Sequence, residues 1–201
     1  MWKTHDSREH GADVEALPNF ALAGGAGLGA GFVALGRQDY HAAALHVRRL
    51  PYGRNTRRAD YGLVLREGRG TCSTKHALLA ALAGEHGRSV ELRLGIYEMN
   101  ADNTPGVGPV LRPYGLDGVP EAHCYLAYRG ARVDLTGIEA ASPLERLLHE
   151  ETIEPDRIGA YKVAAHRHFV REWAAERKLD FEHVWRAREE CIEALSAPYG
   201  S

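Results

Sequence analysis

The segment 121–136 most constrains the fold of this chain, because it holds two apolar-alternating runs that are separated by only two residues. Residues 121–128 and 131–136 both show the period of a strand with one buried face. Arg129 and Gly130 stand between them, and a glycine in the second turn position suits a hairpin that needs positive φ. The segment therefore predicts an antiparallel β-hairpin.

The register of this hairpin predicts a contact between two polar side chains. A two-residue turn pairs Tyr128 with Ala131, and counting back along both strands places His123 and Asp134 on one face. As diagonal neighbours they lie about 7 Å apart at the backbone, which is within reach of a hydrogen bond between imidazole and carboxylate. The same count puts Cys124 on the opposite face, where it contributes to packing.

A second segment predicts a helix that begins at a cysteine. Thr71 is a favourable N-cap, three leucines between residues 78 and 82 form a buried stripe, and Gly87 suits the helix end. Cys72 then lies near the first helical position, where free backbone amides and the helix dipole favour an anion and lower a thiol pKa. A small buried structural cysteine is the alternative interpretation.

The rest of the chain divides into one further strand, several helices and a long connection. Residues 90–97 alternate strictly and predict a strand, whereas residues 100–120 are rich in Gly, Pro, Asn and Asp and predict a loop that acts as a rim or lid. Apolar residues at helical spacing predict further helices over 38–50, 143–150, 156–178 and 181–195.

Helices and an antiparallel sheet together predict the α+β class. Residues 1–20 read as a loose lead-in, and residues 21–201 as a single domain with its core over 38–136 and a helical C-terminal part over 143–197.

Composition excludes several function classes. The 201 residues carry 25 basic and 27 acidic side chains, a balance that gives no overall attraction to nucleic acid or an anionic membrane. Three cysteines do not form a disulfide framework, and neither a signal peptide nor a membrane-spanning apolar run is recognisable. We therefore expect a cytoplasmic protein without nucleic-acid or membrane partners, whose oligomeric state is open.

Two local features invite interpretations of their own. The glycine-rich residues 24–31 do not match a nucleotide-binding loop, because Ala30 and Phe32 stand where the two alternative frames require glycine, so a flexible or close-packed turn is favoured. A local basic excess either forms a solvated face or attracts an acidic substrate. It comprises Arg48, Arg49, Arg54, Arg57, Arg58, Arg66 and Arg69.

Three residue types in the two key segments fit nucleophilic catalysis. Cys72 at a helix N-terminus supplies a thiol, His123 a base, and Asp134 a carboxylate that fixes the imidazole tautomer. The backbone amides of the helix N-terminus are also placed to receive an oxyanion. These residues form a candidate catalytic triad.

At these residues the chain resembles the transglutaminase-like group of papain-type cysteine enzymes, over about residues 60–136. The resemblance rests on Gly-x-Cys opening a Leu/Ala-rich helix (70–82), on a glycine followed by an alternating strand (87–97), on His123, and on Asp-x-Thr from Asp134. It implies a helix packed on a small antiparallel sheet, with further helices before and after this core. It also implies transfer of an acyl group from an amide- or peptide-containing substrate through a thioester on Cys72, to water or an amine, without a cofactor.

Two positions differ from the family pattern, and three others are secondary candidates for the site. Thr74 and His76 occupy positions where the family commonly has an acidic and a small residue. Asn55 and Tyr61 are candidates for an auxiliary oxyanion donor. Glu121, on the face of His123, is either a cleft residue or a carboxylate at the strand surface.

Two other classes of function remain open. Cys72 and His76 share a helix face and could bind a metal together with His123. Alternatively, the chain is a binding or scaffold protein with a catalytically silent triad, since a fold does not by itself confer activity.

Overall fold

The computed structural model describes residues 14–137 and 146–196, in which helices pack on a four-stranded antiparallel sheet with the order β3-β2-β1-β4. The strands are β1 (Glu91–Asn100), β2 (Gly118–Tyr128), β3 (Ala131–Val133) and β4 (Leu147–Ile153). The helices are α1 (Gly27–Ala34), α2 (Tyr40–Arg49), α3 (Leu63–Glu67), α4 (Cys72–Glu85), α5 (Gly108–Leu111), α6 (Ala160–Glu176) and α7 (Phe181–Ser196), with 3₁₀ turns at Arg112–Tyr114 and Pro155–Ile158. The predicted α+β class is confirmed.

The hairpin of β2 and β3 has the predicted turn but a shorter second strand. Tyr128 pairs with Ala131, and Arg129 and Gly130 both have positive φ, at 49° and 84°. Pairing stops at Val133 rather than continuing to residue 136, while β2 begins three residues earlier than expected. Most of the edge of β2 is therefore not covered by β3.

Two clusters of buried side chains lie on opposite faces of the sheet. Leu92, Leu94 and Ile96 of β1 face the main cluster, which α4 fills with its leucines. Tyr97 and Met99 face a second cluster, built largely from residues of α6 and α7. The sheet is thus buried on both faces near its centre.

The segments predicted as a helix over 143–150 and as a loop over 100–120 are different in the structure. Residues 147–153 form β4, because antiparallel pairing with β1 outweighs the local helical pattern, while residues 143–145 lie outside the described part. The presumed loop contains α5, a 3₁₀ turn and the start of β2, and its Val107 and Leu111 are buried beside residues of α7. The loop prediction holds for residues 101–107 and 115–117 and fails for residues 108–114, where the spacing of apolar residues is hidden among glycines and prolines.

The N-terminal region is more ordered than predicted where the structure describes it. Val14 and Leu17 are buried in the main cluster, so the loose lead-in was wrong for residues 14–20, and residues 1–13 lie outside the described part. Residues 27–34 form α1 instead of a turn. The backbone amides of Leu28 and Gly29 donate to the carboxylate of Glu85, at 2.7 and 2.9 Å, so this acidic side chain occupies the anion position at the helix N-terminus.

The C-terminal helices follow the prediction with one interruption. The helix expected over 156–178 is a 3₁₀ turn followed by α6, divided at Gly159. Among the described helices, none has the length and apolar character needed to cross a membrane.

Candidate active site

Cys72 is the first residue of α4 and lies beside the uncovered edge of β2. Thr71 and Thr74 form a capping box, in which the backbone amide of Thr71 donates to Thr74 Oγ1 at 3.0 Å. The backbone amide of Cys124, in β2, is among the groups that lower the pKa of this thiol. Cys72 is buried, with 6 % of its surface exposed, and its position agrees with the sequence prediction.

His123 and Asp134 form the hydrogen bond that the hairpin register predicts. His123 Nε2 lies 2.8 Å from Asp134 Oδ2, although Asp134 is beyond the end of β3. The backbone amide and hydroxyl of Thr136 both donate to Asp134 Oδ1, at 2.8 and 2.5 Å, and fix the carboxylate. With Nε2–H bonded to Asp134, Nδ1 of the imidazole is the atom that interacts with the Cys72 sulfur.

Two buried residues of α4 hold the segment that carries Asp134. His76 donates from Nδ1 to the Cys72 carbonyl at 2.8 Å and accepts the backbone amide of Leu135 at Nε2, at 2.7 Å. Burial lowers the pKa of His76 to about 4, so this imidazole is neutral. Lys75 Nζ donates to the carbonyls of Leu50 and Thr136, both at 2.6 Å.

The metal interpretation finds no support in the described part of the chain. Both ring nitrogens of His76 are engaged in hydrogen bonds to the backbone, and Nε2 of His123 is bonded to Asp134. Within residues 14–137 and 146–196, no group of three or more His, Cys, Asp or Glu side chains is arranged to hold a metal ion.

Replacing Lys75 with methionine is expected to lower the free energy of unfolding by about 2–4 kcal/mol, because carbonyls of two segments lose their buried donor. Urea denaturation followed by circular dichroism measures the change. Lys178→Met, at an exposed site, is the matched control and should change stability by less than about 0.5 kcal/mol. Equal stability of Lys75→Met and the wild type would contradict this role.

The charges around Cys72 favour a thiolate. Burial would raise the pKa of this thiol, but Lys162 and His123 lower it to about 6. Lys162, on α6, donates to Ser73 Oγ at 2.6 Å, and this hydroxyl lies 3.8 Å from the Cys72 sulfur. Burial would lower the pKa of His123, but Asp134 and Cys72 raise it well above its usual value. Near neutral pH the two residues therefore form a thiolate–imidazolium pair.

The structure gives the three secondary site candidates different positions. Asn55 lines the cleft, but its amide nitrogen already donates to Glu67 and to the Arg69 carbonyl, which suits a structural role better than an oxyanion donor. Tyr61 packs against the main hydrophobic cluster. Glu121 forms a buried two-point ion pair with Arg188 of α7, at 2.5 and 2.8 Å, and lines the cleft wall.

A cleft lies next to Cys72, between the first turn of α4, residues 52–58, α6 and α7. Sequence reasoning missed several of the residues that line it, among them Lys162, Arg188 and Tyr52. A signal for Lys162 was present, since it lies at i+4 from Ile158 and at i−4 from His166, both of which are buried. A lysine on the buried face of a helix indicates a specific polar partner.

In comparison with known proteins, no family model matches this chain, and neither the curated proteins nor the solved structures include a significant match. The resemblance to transglutaminase-like enzymes therefore stays a prediction from the motifs.

Proposed function

We propose that this protein is a cysteine-dependent enzyme that transfers the acyl group of an amide or peptide to water or an amine. Cys72 is the nucleophile, His123 the general acid and base, and Asp134 the residue that orients the imidazole. The observation that carries the proposal is the hydrogen bond between Asp134 and His123, with the imidazole interacting with a cysteine at a helix N-terminus. The transglutaminase-like enzymes that the sequence resembles are the class in which this function belongs.

The proposed reaction has two halves that use the same three residues. The Cys72 thiolate attacks the carbonyl carbon, and the C=O π electrons move to oxygen, where backbone amides of the first turn of α4 stabilise the oxyanion. As the oxyanion collapses, the C–N bond breaks and the leaving amine takes the proton from His123 Nδ1. Water or an amine then attacks the thioester while His123 removes its proton, and the thiolate leaves.

The local charges support this assignment of roles. Asp134 is bonded to Nε2 and keeps Nδ1 directed at the reacting atoms. The His123 and Thr136 contacts hold the pKa of Asp134 far below its usual range, despite its burial, so the carboxylate stays ionised. The positive charge of Lys162 also stabilises the thiolate.

We expect the alkylation of Cys72 by iodoacetamide to follow an apparent pKa of about 6, well below the value near 8.5 of an unperturbed thiol. The rate should rise with pH up to about 7 and then level off. Lys162→Met should move this pKa upward because a nearby positive charge is lost. Mass spectrometry of the labelled peptides shows whether the alkylated residue is Cys72, and Cys72→Ala is the negative control. An apparent pKa above 8 would contradict an activated thiol.

The direct test of the proposed function is a covalent acyl-enzyme. Mixing the protein with excess p-nitrophenyl acetate should release a burst of p-nitrophenolate equal to the protein concentration, with acetyl bound at Cys72. Cys72→Ala should show no burst. A thiol that is alkylated rapidly yet forms no acyl-enzyme would instead indicate a binding protein with a silent triad.

A further inference from the structure

The cleft beside Cys72 has more positive than negative side chains. Its cationic lining residues are Arg54, Arg58, Lys162 and Arg188, and its acidic ones are Glu121 and Glu189. Arg188 pairs with Glu121 and Glu189, and Arg54 also pairs with Glu189, at 2.9 Å. Both carboxylates thus form their ion pairs with Arg54 and Arg188, whereas Lys162 acts on Glu121 only through its charge, without an ion pair among the described residues.

The other two cations, Lys162 and Arg58, line the same cleft. The chain next to Arg58 contacts the residue before α6, because an added Cβ at Gly159 would lie 2.7 Å from the Cβ of Ala59. Lys162 donates a hydrogen bond to a neutral hydroxyl, that of Ser73. Within the described part of the chain, Arg58 is exposed and forms no ion pair.

The thiolate of Cys72 is already paired with the imidazolium of His123, and both charges are lost together when the thioester forms and the leaving amine takes the proton. Lys162 and Arg58 therefore keep their positive charges at every stage of the proposed reaction. An acyl group with its own negative charge would offset these charges in the partly buried cleft, where an unpaired charge is costly. Ile158, Val163 and Trp185 line the same cleft and can contact the carbon skeleton of that group.

We infer that the acyl donor of this enzyme carries a carboxylate close to the reacting carbonyl, bound between Lys162 and Arg58 beside Cys72. The inference rests on the proposed function and adds to it the chemical class of substrate. Arg58 is then a specificity residue at the cleft mouth, and Lys162 has two tasks, stabilising the thiolate and binding the substrate anion.

The test compares two alkylating reagents that differ in charge, iodoacetate and iodoacetamide. In both reactions the sulfur forms a bond to the methylene carbon and iodide leaves, and only iodoacetate has a carboxylate next to that carbon. The rate ratio of iodoacetate to iodoacetamide is measured for the full chain at pH 7 and low ionic strength, with 2-mercaptoethanol as the reference thiol. We expect the ratio at Cys72 to exceed the reference ratio by about tenfold.

Variants and salt identify the groups that cause the preference. Arg58→Gln should lower the ratio about threefold, and Lys162→Met about tenfold, whereas Arg57→Gln, an exposed neighbour paired with Asp60, should leave it unchanged. Ionic strength near 0.5 M should remove most of the contribution of exposed Arg58.

The outcomes distinguish a failure of this inference from a failure of the proposed function on which it rests. Rapid alkylation with a ratio equal to or below that of 2-mercaptoethanol overturns the carboxylate inference and leaves the activated thiol standing. Slow alkylation by both reagents overturns the proposed function and this inference together. A preference that is the same in Arg58→Gln, Lys162→Met and the wild type also overturns it.

Discussion

Replacing His123 with alanine is expected to lower turnover of an acyl substrate by at least about three orders of magnitude, close to the complete loss expected for Cys72→Ala. In the proposed mechanism the imidazole both holds the sulfur as a thiolate and delivers the proton to the leaving group, so its removal abolishes both contributions. Steady-state hydrolysis of p-nitrophenyl acetate, corrected for the uncatalysed rate, measures the effect. Unfolding temperatures of both variants should stay within a few degrees of the wild type.

The carboxylate that orients the imidazole provides a graded comparison. Asp134→Asn should lower turnover strongly but affect iodoacetamide labelling less than His123→Ala does, because an amide can hold the ring yet favours the wrong tautomer. His149→Ala, at an exposed position on β4, is the matched control and should retain full turnover. Substantial turnover by His123→Ala would contradict a mechanism that depends on the triad.

The Glu121→Gln variant is expected to lose about 3–5 kcal/mol of unfolding free energy, which lowers the unfolding temperature by roughly 6 to 20 °C. The carboxylate joins β2 to Arg188 of α7, and both side chains are buried. Its removal leaves a buried guanidinium without its main partner. Thermal unfolding measures the loss. The double variant Glu121→Leu with Arg188→Met should recover most of the lost stability, because it leaves neither charge of the pair buried without its partner.

The same pair gives the stability a defined pH dependence. Burial would raise the pKa of Glu121, but Arg188 and His166 lower it to about 2, below the unfolded value near 4.5. The unfolded chain therefore binds the proton more readily, so this contribution is complete above pH 4.5 and is lost as the pH falls toward 2. Glu121→Gln should show a weaker decline of stability over that interval. An identical acid profile for both proteins would contradict the ion pair.

The parts of the site that depend on local rules could be predicted from the sequence. The N-cap of α4, the two-residue hairpin turn and strand alternation all depend on neighbouring residues, and together they were sufficient to place Cys72 and to bring His123 against Asp134. The hydrogen bond forms although the ladder ends at Val133, because the side chains of Thr136 and His76 take over from strand pairing.

The remaining parts depend on contacts between distant segments. Residues 147–153 form a strand only because they pair with the edge of β1. Their own sequence does not indicate that this edge is available. Lys162 reaches Ser73 across 89 positions of the chain, and Arg188 reaches Glu121 across 67. No periodicity encodes such pairings, which is why Lys162 and Arg188 were absent from the prediction of the cleft, although Arg54, Arg58 and Glu121 were named in it.

The early end of β3 leaves room for the proposed nucleophile. Where a full-length neighbouring strand would pair with β2 near Cys124, the first turn of α4 brings Cys72 instead. In the proposed mechanism the cysteine thus occupies a position that a regular sheet would fill with another strand, and a variant that extended the ladder of β3 past Val133 would separate the sulfur from its imidazole.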